Sequence, residues 1–478
     1  MIPDSFGVDT SRASPVFCHR FQERDTVGGT LIARRHKHHA AALLLLCLAA
    51  GTITVCGGVE TEQQSLATLT DQGKFVEAHV RTHDPDVEKT YGEKNYLLLR
   101  LERGSAALAA QNCDQTITAL NEAEGASAYN YDLSTWDRTL QYAVNDSASA
   151  YYARPHEDIY VNVLKQIAYL HQGVLENGAI VESNRQLDKA TWLRAQHSQL
   201  VEQLRQKDSA KVIESGESQL QINKEHAGEF IDSPLGAYLG ALSFANYGLY
   251  DKQQVAANNL RTALAAAPTG PDPVQADKFT GLDSESVTQF NTVVIALSGR
   301  SPSIVSKTVS IPILKQSVSG AIPELQMHAS PIHAAALEVR DGPTVDLDLI
   351  EDMSAVIAEN FRRQEESIYY RAMIRLGIKV GVVTAASLGV QASTDNELYT
   401  GMTALFGAAY IWATETADKR AWTTLPGQAR VKALSLPTGA HEARIVYTGD
   451  NGTRWEGPWM TIESPAKGLR AIVDRCPQ

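Results

Sequence analysis

The stretch Leu99–Ala123, LRLERGSAALAAQNCDQTITALNEA, decides how the first half of this chain is read. Leu99, Gly104, Ala107 and Leu108 recur at helical spacing, and after a short break Thr116, Leu120 and Ala123 do so again. Gly104 and Ala123 stand where large side chains would push two helices apart. The pattern is that of an antiparallel helix pair with tetratricopeptide-like spacing. Three other passages repeat it. Leu66 and Leu69 precede Gly73-Lys74-Phe75 and Ala78, and Ala237–Gly248 with Val255–Ala267 ends at Pro268. Leu164–Leu170 precedes Gly173 and Ala179, with one residue too many in the turn. The spacing is irregular, and a long helical stretch, Lys189–Lys224, intervenes. Residues 57–268 therefore read as a degenerate helical array, whose stacked pairs leave a concave face suited to a peptide or protein partner.

Downstream the grammar changes. Residues 269–283, rich in Pro, Gly and Asp, read as a linker. Residues 284–426 read as a mixed α/β segment, with strands at Asn291–Leu297, Lys307–Ile313 and within Glu324–Val339. Helical periodicity then runs from Leu347 to Val390, its first turns holding Asp346, Asp348, Glu351 and Asp352 as partners for the helix dipole. Arg371, Arg375 and Lys379 form a basic stripe, read either as a contact for anionic lipid or glycan or as a solvated face. Val380–Val390 and Tyr399–Ala413 are each too short to span a bilayer and read as a buried helical hairpin. Residues 427–478 alternate polar and apolar side chains between turns, as a small antiparallel β module does. In it Trp455 and Trp459 mark either an aromatic contact surface or core packing. The fold class is α+β.

Upstream, Arg34, Arg35 and Lys37 precede an uncharged run of 16 residues, Ala40–Val55. Residues 34–56 thus have the grammar of an export signal, and residues 1–33 form an unassigned leader. Cys56 follows the run as the acylated cysteine of a lipoprotein would, although Val55 replaces the usual small residue before it. Three readings are compatible: a lipid anchor at Cys56, cleaved soluble export, and an uncleaved anchor. Beyond Cys56 remain 37 Lys/Arg and 51 Asp/Glu, a net charge of −14, which argues against general nucleic-acid binding. Cys113 and Cys476 alone remain there, either as two free thiols or as one pair in an oxidising compartment.

Several passages together resemble a family of uncharacterised bacterial envelope lipoproteins with a helical first half and a short β tail. They are Asn145–Arg185, Gly299–Pro302, Leu349–Asp352 with Ile357-Ala358, Tyr370–Lys379, Ala417–Pro426 and Leu436–His441. The resemblance implies a lipid-anchored protein of the periplasmic side, considered alongside lipoproteins that assist peptidoglycan synthases, and brings no catalytic residues. Asp418, Arg420 and Trp422, ahead of a Leu-Pro stop, have their own physical reading as a joint pinned between the helical hairpin and the β module, with ligand contact as the alternative.

No Walker loop, GxSxG, HExxH or CxxC is present. His328 and His333 lie on a Pro-containing segment with poor metal geometry, and the Glu351/Asp352 pair reads as dipole partners ahead of acid–base catalysis. The expectation is a non-enzymatic envelope scaffold with no cofactor. It would contact a protein partner through the helical array and the membrane through Cys56, with peptidoglycan or glycan binding through the β module as one alternative and an enzyme of unrecognised type as another.

Overall fold

The computed structural model describes residues 58–131, 150–206, 229–267, 289–313, 316–364 and 418–477. Cys56, expected as a lipidation site, Arg371, Arg375 and Lys379, expected as a basic stripe, and both apolar passages expected as a hairpin lie outside these residues. The architecture is α+β, with a long helical region followed by a β-rich one.

The helical region opens with α1 (58–71), α2 (Phe75–Arg81) and α3 (Pro85–Tyr91). Next come α4 (Tyr96–Ala109) and α5 (Cys113–Tyr131), the helix pair read from Leu99–Ala123. From Leu97 to Leu108 only Arg100 of α4 escapes burial, as expected for a helix apolar around most of its circumference. Gly104 is required by that packing, because a Cβ there would lie 2.4 Å from Leu120 Cδ2.

Helix α6 (Pro155–Gln172) is the central helix, buried along most of its length, and its αL cap at Gly173 leads into a π-helical turn, Leu175–Ala179. That turn absorbs the extra residue noted ahead of Ala179. Helices α7 (Ile180–Gln206), α8 (Pro234–Tyr247) and α9 (Tyr250–Ala266) complete the layer. Lys165, fully buried on α6, is paired with Glu124 at 2.9 Å and Glu182 at 2.8 Å, which ties α5, α6 and α7 together.

Ten strands follow: β1 (Thr292–Ser298), β2 (Ser303–Ile313), β3 (Gln316–Gln326), β4 (Ile332–Val339), β5 (Thr344–Asp352), β6 (Gln428–Leu434), β7 (Gly439–Gly449), β8 (Arg454–Glu456), β9 (Met460–Ser464) and β10 (Arg470–Arg475). Eight form one sheet in the order β10-β1-β6-β5-β4-β7-β8, with β9 also on β7, while β2 and β3 pair only with each other. Helix α10 (353–364) follows β5.

The sheet has a core on each face. Val293, Ile295 and Leu297 of β1 join the helices, and Val294 and Ala296 join Leu337, Ile445 and Tyr447 on the other side. A strand covered on both faces needs an unbroken apolar run, and Val293–Leu297 supplies it. The edge strand β10 is covered by the helical layer. Gln111 Nε2 donates to the Val473 carbonyl at 3.0 Å, and Arg470 Nε donates to the His171 carbonyl at 3.0 Å. Such side-chain contacts blunt an edge that would otherwise invite pairing.

Two findings differ from the sequence reading, and a third decides between its two readings of the cysteines. Strands expected in a separate C-terminal module share one sheet with those of the preceding segment, and β10 pairs with β1 in parallel. Alternating polarity marks strands but does not name their partners, which is why this was not legible. Asp346, Asp348, Glu351 and Asp352 lie on β5, where helix starts were expected, although Asp352 Oδ1 does accept from Ala355 N at the start of α10. Cys113 and Cys476 form no disulfide and are buried in different cores, on opposite faces of the sheet.

Replacing Gly104 with Ala is expected to destabilise the protein by about 1–3 kcal/mol through overpacking against Leu120. Equilibrium denaturant unfolding checks this. Gly125, whose added Cβ would meet nothing within 4 Å, serves as the control position.

Candidate functional site

The segment Asp418–Pro426 crosses the junction between helices and sheet, and its main chain is held from several directions. Gln63 of α1 donates to the Ala421 carbonyl. Trp422 N donates to Glu157 Oε1 of α6 at 3.0 Å, and Ser301 Oγ donates to the Trp422 carbonyl at 2.9 Å. Thr423 N and Thr424 N donate to the two oxygens of Glu102 on α4, at 2.8 and 2.9 Å, and both threonine hydroxyls donate there too. Arg475, at the end of β10, donates to the Thr424 carbonyl at 2.5 Å. Trp422, only 2% exposed, donates its indole N–H to Ser105 Oγ at 2.7 Å. This segment is a strap stitched across the layers.

Asp418, Arg420 and Trp422 lie on this strap between helices α1, α4 and α6 and the sheet, whereas the hairpin they were expected to join lies outside the described residues. Arg420 forms an ion pair with Asp418 at 2.6 Å and donates to Asn95 Oδ1 at 2.6 Å. The partners that hold the strap, Glu102 above all, were not singled out from the sequence. The available cue was a lone carboxylate inside the Leu-rich run Leu97–Leu101 and Ala106–Leu108, which demands buried donors. Burial raises the Glu102 carboxyl above its usual range, and the threonine donors oppose that rise.

A second joint lies at Glu351. Its carboxylate accepts from Tyr160 on α6 at 2.5 Å, from Ser233 Oγ at 2.6 Å and from Leu235 N at 2.9 Å, so it caps the start of α8 from β5. Burial pushes its pKa up to about 7, and neighbouring Asp232 adds to the rise. Close by, the Asn360 side chain both donates to the Ile231 carbonyl and accepts from Ile231 N. Every oxygen of Glu351 is thus engaged by the protein's own donors, the arrangement of a structural clamp.

Beside the strap, Arg154, His156, Ser301, Ile304, Leu325 and Trp422 line a cavity of about 10 Å³. That is room for roughly one water molecule. Burial lowers His156 to about 4, so its imidazole is neutral at physiological pH. Among the described residues, no group of three or more His, Cys, Asp and Glu could hold a metal ion. His328 contacts Arg300 and Ser303, and His333 faces Asp450.

The two tryptophans of the C-terminal strands have different settings. Trp455 packs over Gly449 at the rim of the second core. Trp459 is 41% exposed, but the guanidinium groups of Arg340 and Arg444 each stand 4.7 Å from its ring centre. Arg444 and Arg454 both bridge Glu338 and Glu456, closing a ring of four charges across β4, β7 and β8. The guanidinium groups occupy ring surface on which a sugar would stack.

No protein-family model, curated protein or solved structure matches the chain.

Two outcomes follow from the clamps. Glu102→Ala leaves two buried backbone N–H groups unpaired and is expected to cost on the order of 3 kcal/mol in denaturant unfolding. Glu351 has a folded pKa of about 7 against a reference of 4.5, so its contribution is fully present below the reference value and is lost as pH rises through about 7. The melting temperature of the wild type should therefore fall more between pH 5 and pH 8 than that of Glu351→Gln; equal falls would refute the assignment.

Proposed function

We propose that this chain is a non-catalytic, lipid-anchored scaffold of a bacterial cell envelope. It is acylated at Cys56 on the periplasmic side, and its tetratricopeptide-like helix pairs offer their surface to a protein partner in envelope assembly. The observation that carries the reading is where large apolar side chains meet solvent. Eight of the ten exposed ones among the described residues lie in the helical region: Val76, Val80, Tyr96, Val174, Val181, Tyr247, Tyr250 and Val255. They are the side chains that a protein partner seated on the helix pairs would cover. The export grammar of residues 34–56 supports the address. Among the described residues, no helix is long and apolar enough to cross a membrane. In this reading the acyl group at Cys56 supplies the attachment. The engagement of Glu102 and Glu351 by structural donors supports a non-catalytic role for these carboxylates.

Deleting the helices would strip the sheet of one core, so the test uses point labels in the full chain. Photo-crosslinking residues at Val76, Tyr250 and Val255 should yield adducts with an envelope protein, whereas labels at Asp450 and Lys467 should not. Equal yields from both sets would sink the scaffold reading. Intact mass of the envelope-extracted protein should match a chain that begins at diacylated or triacylated Cys56.

A further inference from the structure

We propose that one end of the molecule rests on the surface of a lipid bilayer: the end formed by Gly58, the turn after Val80, the turn from Thr90 to Lys94, and Lys419. The inference rests on the anchor at Cys56 proposed above and adds which face of the protein the anchor turns toward the lipid.

The argument is one of reach. Cys56 precedes Gly58 by two residues, and two fully extended residues span only about 7 Å. An acyl chain inserted into the bilayer therefore holds the start of α1 at the headgroups. The surroundings of that start are fixed by packing. A Cβ on Gly58 would lie 3.1 Å from Thr90 Cγ2, which places the end of α3, with exposed Lys89, beside it. Glu60 pairs with Lys419 at 2.6 Å. Arg81 pairs with Glu62 at 2.9 Å, so α2 runs back to the same end and brings Val80, 63% exposed, and the exposed His83 with it. Lys94 is also exposed, on the turn that follows α3. The opposite end of α1 lies about 20 Å away, at a rise of about 1.5 Å per residue. There Asp71 pairs with Arg300 at 3.2 Å, and Lys74 begins the next helix.

The near end is mixed in charge, with Lys89, Lys94 and Lys419 among Glu60, Glu62, Asp84, Asp86, Glu88 and Glu93. The reach of the anchor therefore carries the orientation, and the exposed lysines report it. Lysines also make this end directly measurable. Envelope vesicles carrying the full-chain protein are treated with a water-soluble amine-acetylating reagent, before and after the membrane is dissolved in detergent. Modification of each lysine is read by peptide mass. The reactivity of Lys89 and Lys94 relative to Lys467 should rise several-fold when the bilayer is dissolved. No change in that ratio, on protein whose intact mass shows acylated Cys56, would overturn the orientation and leave the anchor standing. Protein that fails to sediment with vesicles and lacks acyl mass would overturn the anchor and the orientation together.

Discussion

Glu102 sits within a Leu-rich helix and accepts hydrogen bonds from the main chain of Thr423, which lies 321 residues further along. A carboxylate taken out of water is costly unless donors replace its hydration. Thr423 and Thr424 supply four, two from the backbone and two from hydroxyls. The same arrangement recurs where Glu157 receives Trp422 N and where Glu351 receives Leu235 N. In each case a buried carboxyl group on one layer is satisfied only when a particular stretch of the other layer is in place.

Such contacts differ in kind from the apolar packing around them. Two cores bury side chains on both faces of β1 and supply most of the drive to collapse, but apolar packing alone tolerates sliding by a fraction of a residue. A carboxylate that must meet two consecutive backbone N–H groups tolerates no such shift. Misregistration of the strap would leave a buried charge unpaired, which is more damaging than an imperfect hydrophobic fit. The buried Lys165 between Glu124 and Glu182 imposes a similar constraint among α5, α6 and α7.

Much of the helical layer was legible because its signals are local. Gly104 against Leu120, the αL glycine at 173 and the apolar period of α4 each act within a few turns of the chain. The surplus residue before Ala179 was visible as a count, and it emerges as a π-helical turn. Glu351 was misplaced for an equally physical reason. A carboxylate run ahead of helical periodicity matches a dipole-favoured helix start, and that rule outweighed the period-two alternation of Val345–Leu349. The pairing of β5 with β6 then shifts register between Leu349 and Glu351, an irregularity that turns Glu351 inward and that side-chain periodicity does not reveal. The joint at Asp418, Arg420 and Trp422 was legible as residue types suited to packing. Its partners on α1, α4 and α6 were not, since nothing local connects positions hundreds of residues apart.

The position of β10 has a consequence for how the polypeptide is made. β1, next to the edge strand β10, needs β6 on one side and β10 on the other. A nascent chain can assemble helix pairs early, but its sheet stays incomplete until Arg470–Arg475 have been delivered. During that interval the run Val293–Leu297 is exposed with its backbone partly unpaired, the circumstance in which newly made proteins are most prone to aggregate and most in need of a chaperone.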